Sequence, residues 1–182
     1  MRRIQVRSLV VAVVIASLLA GCGSSGSKGV SAASYAKTIC TAVDSFQKDA
    51  QSRVGNLSAT TNLAAHKAAL QSAFGAVAAD AGHALASLKA AGTPNMTNGK
   101  ATADALVQGF TQVQTALSRA TTLVGKLPTT SQSAFKSAAT PIATAVEASL
   151  ASLGTSLSGL KSSEFDKAAA SEPACKSLTG SS

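Results

Sequence analysis

Apolar positions recur at steps of three and four along most of the chain, and they divide into four long segments. In the first, Tyr35, Ile39, Val43, Phe46, Ala50 and Val54 share one helical face. Ser31 is placed to cap its start, and Gly55-Asn56 to end it. The second carries Leu63, Leu70, Phe74, Val77, Ala81, Leu85 and Leu88, with Thr60 or Thr61 as the cap and Gly92-Thr93-Pro94 as the stop. The third runs through Ala103, Leu106, Phe110, Val113, Leu117, Ala120, Val124 and Leu127. It alternates steps of three and four without a break, as the seam of packed antiparallel helices does; Thr97 or Asn98 is its cap. The fourth runs through Phe135, Ala139, Ile142, Val146, Leu150, Leu153, Leu157 and Leu160, with Pro141 inside it. A proline there lacks a helix donor and clashes with the preceding turn, which predicts a kink or a restart. A short helix is expected from Ser163, ending before Pro173.

A narrow apolar stripe cannot be buried by one helix alone, and four stripes can bury one another. The connections are short, so neighbours are expected to run antiparallel. The predicted fold class is all-α: an antiparallel four-helix bundle over residues 31–178, with a short C-terminal helix or tail, and a disordered tail at 179–182. The alternative is an extended helical hairpin or coiled coil that forms only with partners. Gly75 and Gly82 on the second helix, and Ala105 and Gly109 on the third, offer close backbone approach. A mid-helix Gly costs about 1 kcal/mol against Ala, and close packing is the compensation expected.

Composition supports helices and removes other classes. Ala occurs 38 times, while aromatic residues are 3% of the chain and Trp is absent. So few rings argue against a sugar- or base-stacking surface. A chain of 182 residues is too short for the two α/β lobes of a solute-binding protein.

The first residues read as an address. Arg2, Arg3 and Arg7 precede Leu9–Ala20, which is apolar except for Ser17. A basic n-region before such a run is a secretory signal peptide, and the run is shorter than the roughly 20 residues a membrane span needs. It ends in Leu19-Ala20-Gly21-Cys22, which closely resembles the lipobox of bacterial lipoproteins. The resemblance implies that residues 1–21 are removed and that Cys22 carries a diacylglycerol through a thioether. Residues 22–30 are rich in Gly and Ser and read as a flexible linker. Gly21, Gly23 and Gly26 spell a dinucleotide fingerprint, but one that follows a leader and is split by the cut lacks its strand and helix. The layout of lipobox, Gly/Ser linker and helical domain with two Cys resembles the small Ala/Ser/Thr-rich envelope lipoproteins of actinobacteria. That likeness implies a helical domain with a lipid anchor in the cell membrane, on its extracytoplasmic face, and adds no function.

Loss of the three leader arginines lowers the net charge from +8 to +5. The remaining excess is scattered over single lysines, which reads as a solvated surface with at most weak attraction to anionic envelope polymers or head groups. Nucleic acid is not an expected partner: the address is outside the cell and no binding motif occurs. With Cys22 lipidated, Cys40 and Cys175 are left to pair, and export permits oxidation. Such a bond would clamp the C-terminus to the first helix.

Chemistry-bearing patterns are sparse. His66 and His83 lie about 25 Å apart along one helix and cannot share a metal. Asp80 and His83 are one turn apart, a surface pair. The S-x-x-K pattern of serine β-lactamases and penicillin-binding proteins occurs at Ser25–Lys28, Ser34–Lys37, Ser45–Lys48, Ser133–Lys136 and Ser158–Lys161. Five copies without the partner motifs S-x-N and K-T-G read as chance. No catalytic, metal or cofactor-binding residue is predicted. The expected function is that of a membrane-anchored interaction or scaffold module, not an enzyme, with an unknown envelope protein or polymer as partner. The alternative is a carrier of an apolar ligand or lipid, which needs a cavity of a few hundred cubic ångströms.

Overall fold

The computed structural model describes residues 29–55, 62–158 and 162–179. Four long helices make up the body: α1 (Ala32–Gly55), α2 (Leu63–Ala91), α3 (Gly99–Val124) and α4 (Gln132–Ser158). Two short ones follow, α5 (Ser163–Ser171) and α6 (Pro173–Thr179). Side-chain neighbours fix the directions. Residues 71, 75 and 82 of α2 face Gly125, just past α3, and residues 121 and 114 of α3, one series rising as the other falls. Gly109 of α3 faces Ser156 of α4 while Gln112 bonds Ser152, and α1 residues 37–45 line a groove with 80–87 of α2 while Phe46 and Ala50 line a cavity with 70–77. Consecutive long helices are therefore antiparallel.

The core is the set of stripes read from the sequence. Leu106 and Phe110 are wholly buried, and Tyr35, Ile39, Leu88, Val113 and Val124 are at most 2% exposed. Burying an aliphatic or aromatic side chain of this kind contributes about 1.5–3 kcal/mol. Phe46 of α1 meets Phe110 of α3 edge to face, with ring centroids 5.8 Å apart, an arrangement the ring quadrupoles favour. Gly82 leaves room for the Gln114 amide, since a Cβ there would lie 2.7 Å from Nε2. At Gly109 a Cβ would lie 3.1 Å from Leu153 Cδ1. Of the small residues read, Gly82 and Gly109 thus make close approaches, against two different faces of α3, while a Cβ at Gly75 would lie an ordinary 3.7 Å from Thr121.

The helix ends differ in detail from the sequence reading. Ser31 caps α1, its Oγ accepting from the Ser34 N–H. Asn62, rather than Thr60 or Thr61, caps α2, its Oδ1 accepting from the N–H groups of Ala64 and Ala65; an Asn adjoining the first turn reaches both orphan donors. Asn98 caps α3 by position alone, at φ 58 and with no side-chain bond. Gly92, at φ 72, ends α2 in a conformation where a side chain is strained. At Pro141 there is no restart: α4 is one element, and Pro141 sits exposed within it. The Thr140 hydroxyl donates to the Lys136 carbonyl one residue earlier in the same row.

Val30, read as the end of the linker, is instead structured. Val30–Ser31 pairs in parallel with Pro94–Asn95, and the Val30 N–H donates to the Thr93 carbonyl at 3.0 Å. Pro173, read as a stop, opens α6; a proline suits the first helical position because its missing N–H has no partner there. Leu160 lies outside the described residues, as do the side chains of Val54 and Leu157.

Candidate functional site

One pole of the bundle gathers most of the cross-links. The start of α1, the turn from α2 to α3 and both C-terminal helices lie there. Cys40 and Cys175 form a disulfide with their Cα atoms 4.9 Å apart. Ser177 Oγ donates to Asp44 Oδ1 at 2.9 Å, and Lys48 Nζ donates to Asp44 Oδ2 at 2.7 Å. The bonds from Lys48 and Ser177 hold the Asp44 carboxyl below the usual carboxylate range. Glu164 accepts the Thr97 N–H, Ser162 caps α5 through the Phe165 N–H, and Phe165 packs on the core. Tyr35 is buried nearby, and its hydroxyl has no partner among the described residues. Burial, and then the charge of Asp104, push its pKa up to about 12.

Several surfaces stand open among the described residues, a groove of about 420 Å³ between α1 and α2 among them, and two others are largely apolar. The first is a groove of about 460 Å³ between α3 and α4, floored by Ala116, Ala120, Ala145 and Ala148, with Arg119 and Leu123 at its edge. Its hydroxyls are spent within the helices: Thr111, Thr115 and Ser149 donate to carbonyls one turn back, and Ser152 to Gln112. The groove therefore presents mainly methyl groups. Arg119 is its only charged residue, and no carboxylate among the described residues pairs with it. Leu123 is 41% exposed.

The second is a cavity of about 150 Å³ with no polar lining. It exists because the fourth seam of the bundle does not close. Among the described residues α1 packs on α2, α5 and α6, and α4 packs on α3, while α1 and α4 share no extended contact. Phe46, Leu70, Phe74, Leu117, Val146 and Leu150 wall the resulting gap.

The polar residues singled out in the sequence are not brought together. Asp80 binds Arg53, at 2.7 Å from Nε and 3.3 Å from Nη2, and not His83. A guanidinium arriving from α1 offers two donors to the carboxylate, which a one-turn His neighbour cannot match. That bond raises the Arg53 pKa further above its ordinary value. His66 packs on Phe135 at a centroid distance of 5.6 Å. Ser34–Lys37, Ser45–Lys48 and Ser133–Lys136 are all exposed, and Lys48 is held by Asp44. Lys28 and Lys161, of the other two S-x-x-K copies, lie outside the described residues, as do Cys22 and the leader. Among the described residues no three His, Cys, Asp or Glu are grouped as a metal site, and no helix is long and apolar enough to cross a membrane.

No protein family, curated protein or solved structure matches this chain.

Proposed function

We propose that this protein is an extracytoplasmic lipoprotein, anchored through Cys22, whose helical bundle serves as an interaction or scaffold module at the cell envelope. The observation that carries this reading is the convergence of cross-links at the pole where the chain enters from the linker. A pull on Val30 is shared by the pairing with Pro94–Asn95, by α1 and by the disulfide from α1 to α6. The tethered end is therefore braced, and the α3–α4 groove is left free to meet a partner. Its methyl-rich floor, exposed Leu123 and unpaired Arg119 suit an amphipathic helix with an acidic flank. The cavity at the open seam is smaller than the few hundred cubic ångströms that enclosing a whole lipid requires.

Site-specific photo-crosslinking in cells tests the reading. A crosslinker at Gln112 or Leu123 is expected to trap a discrete envelope partner, and one at exposed Ala101, outside the groove, is expected not to. Arg119→Glu is expected to weaken the adduct. Absence of any groove-specific adduct would sink the interaction role.

A further inference from the structure

We infer that the open seam between α1 and α4 is a binding site for a small hydrocarbon, either a free molecule of about benzene's size or the methyl end of a longer acyl chain. The inference is independent of the interaction role. Three observations carry it. The cavity measures about 150 Å³ and has no polar atom in its lining. An enclosed cavity of that size and chemistry takes up benzene or xenon, so the volume and lining suit a ligand of that kind. Its walls come from all four long helices, Phe46 from α1, Leu70 and Phe74 from α2, Leu117 from α3, Val146 and Leu150 from α4. It is thus a product of the whole fold rather than of one poorly packed turn. Finally, Leu150 of its wall is 42% exposed although its neighbours on the same stripe, Val146 and Leu153, are buried, which places the mouth there. A large apolar side chain left half in water at the mouth of an apolar cavity gains contact when a hydrocarbon enters. The volume holds one ring or one chain end, so a longer ligand would leave its head group outside, past Leu150.

The test uses the full chain carrying Cys22→Ala, exported through an oxidising compartment and purified without detergent. Benzene and dodecanoate, the latter below its micelle concentration, are the probes. Methyl NMR is expected to show shifts at Leu70, Val77, Leu117, Val146 and Leu150, and none at Leu88, Leu106 or Leu127, with a raised melting temperature. Shifts with benzene alone assign the site to free small hydrocarbons; shifts with both, in competition, assign it to chain ends. Ala73→Leu, which fills the cavity from α2, is expected to abolish the shifts and to raise the melting temperature without ligand. If that variant does not fold, Leu150→Gln at the partly exposed mouth is expected to weaken dodecanoate at least several-fold. Unshifted methyls at saturating benzene, or shifts that persist unchanged in a folded Ala73→Leu chain, would overturn the site.

Discussion

Glu164 reaches across the pole to Thr97, its Oε2 accepting that backbone N–H at 2.8 Å. The two residues are 67 apart in sequence, so the bond ties the first turn of α5 to the turn that opens α3. A hydrogen bond to a charged acceptor at a partly wet site contributes about 1 kcal/mol. Glu164→Ala is therefore expected to lower the melting temperature by roughly 2–4 °C for a domain of this size. Glu164→Gln keeps an acceptor and is expected to lose less. Thermal unfolding followed by circular dichroism decides; identical midpoints for all three chains would show that the contact contributes nothing.

The long helices were legible because their stripes are regular: Ala103 to Leu127 repeats without a break, and its members are buried as read. The Cys40–Cys175 bond was legible by composition, once Cys22 was set aside. Features that depend on two distant segments were not. Nothing in V-S or P-N marks the strand pair between Val30–Ser31 and Pro94–Asn95, which backbone hydrogen bonds alone create. Arg53 was not singled out, since its partner Asp80 lies on another helix. The open seam was equally silent: a stripe states which face is apolar, not whether the fourth interface closes. Only the pairing of small residues with large ones across α2, α3 and α4, settled in three dimensions, decides that. Pro173 carried the one signal that could have been used, since a proline after Glu172 fits the first position of a helix as well as a stop.

Tyr35 is the only tyrosine of the chain, which makes its buried hydroxyl directly readable. Its pKa of about 12 lies above the ordinary tyrosine value of 10.0, so burial favours the neutral form in the folded state. That stabilisation is complete below the unfolded pKa and is lost as pH rises through the folded one, so stability is expected to fall between about pH 10 and 12. Tyrosinate absorbance is expected to appear only near pH 12 or on unfolding. Tyr35→Phe removes an unsatisfied donor and is expected to gain on the order of 1 kcal/mol. A tyrosinate signal at the ordinary pKa, with the fold intact, would contradict the burial argument.

Asp44 gives the pole a response to acid. Its folded pKa is depressed by the bonds from Lys48 and Ser177. The sign follows: the stabilisation is present above the unfolded carboxylate range, near pH 4, and is lost as pH falls through the lower folded value. Hydrogen exchange in α6 is expected to accelerate below about pH 4, ahead of exchange in α2 and α3. Asp44→Asn is expected to loosen α6 at neutral pH and to flatten that response. Uniform acceleration across all helices would point to global unfolding instead.

The proposed anchor rests on Leu19-Ala20-Gly21-Cys22 and is tested by mass. Membrane-fraction protein is expected to begin at Cys22 and to carry a diacylglycerol there. Cys22→Ala is expected to release the protein or leave an unprocessed precursor. A mature chain with an unmodified Cys22 would remove the anchor from the account.

The disulfide is expected to act on α6 more than on α5. Cys175 is buried against α1, and α6 carries no large side chain of the core cluster, its cross-links being the disulfide and Ser177 on Asp44. By contrast α5 has Phe165 on the core, the Ser162 cap and the Glu164–Thr97 bond. A bond closing 135 residues stabilises by up to about 5 kcal/mol in chain-entropy accounting, usually less in practice. Reduction, or Cys175→Ser, is therefore expected to lower the melting temperature while leaving the four long helices formed, since their stripes do not use the tail. Under limited proteolysis the first cuts are expected within 172–179, with 163–171 protected for longer. Adding Glu164→Ala to Cys175→Ser is expected to erase that order and release both helices together. Peptide mapping with and without reductant reads the sequence of cuts. Free alkylation of both Cys40 and Cys175 in protein from an oxidising compartment would show that the clamp is not made, and early cutting within 163–171 in the reduced chain would show that α5 depends on it as well.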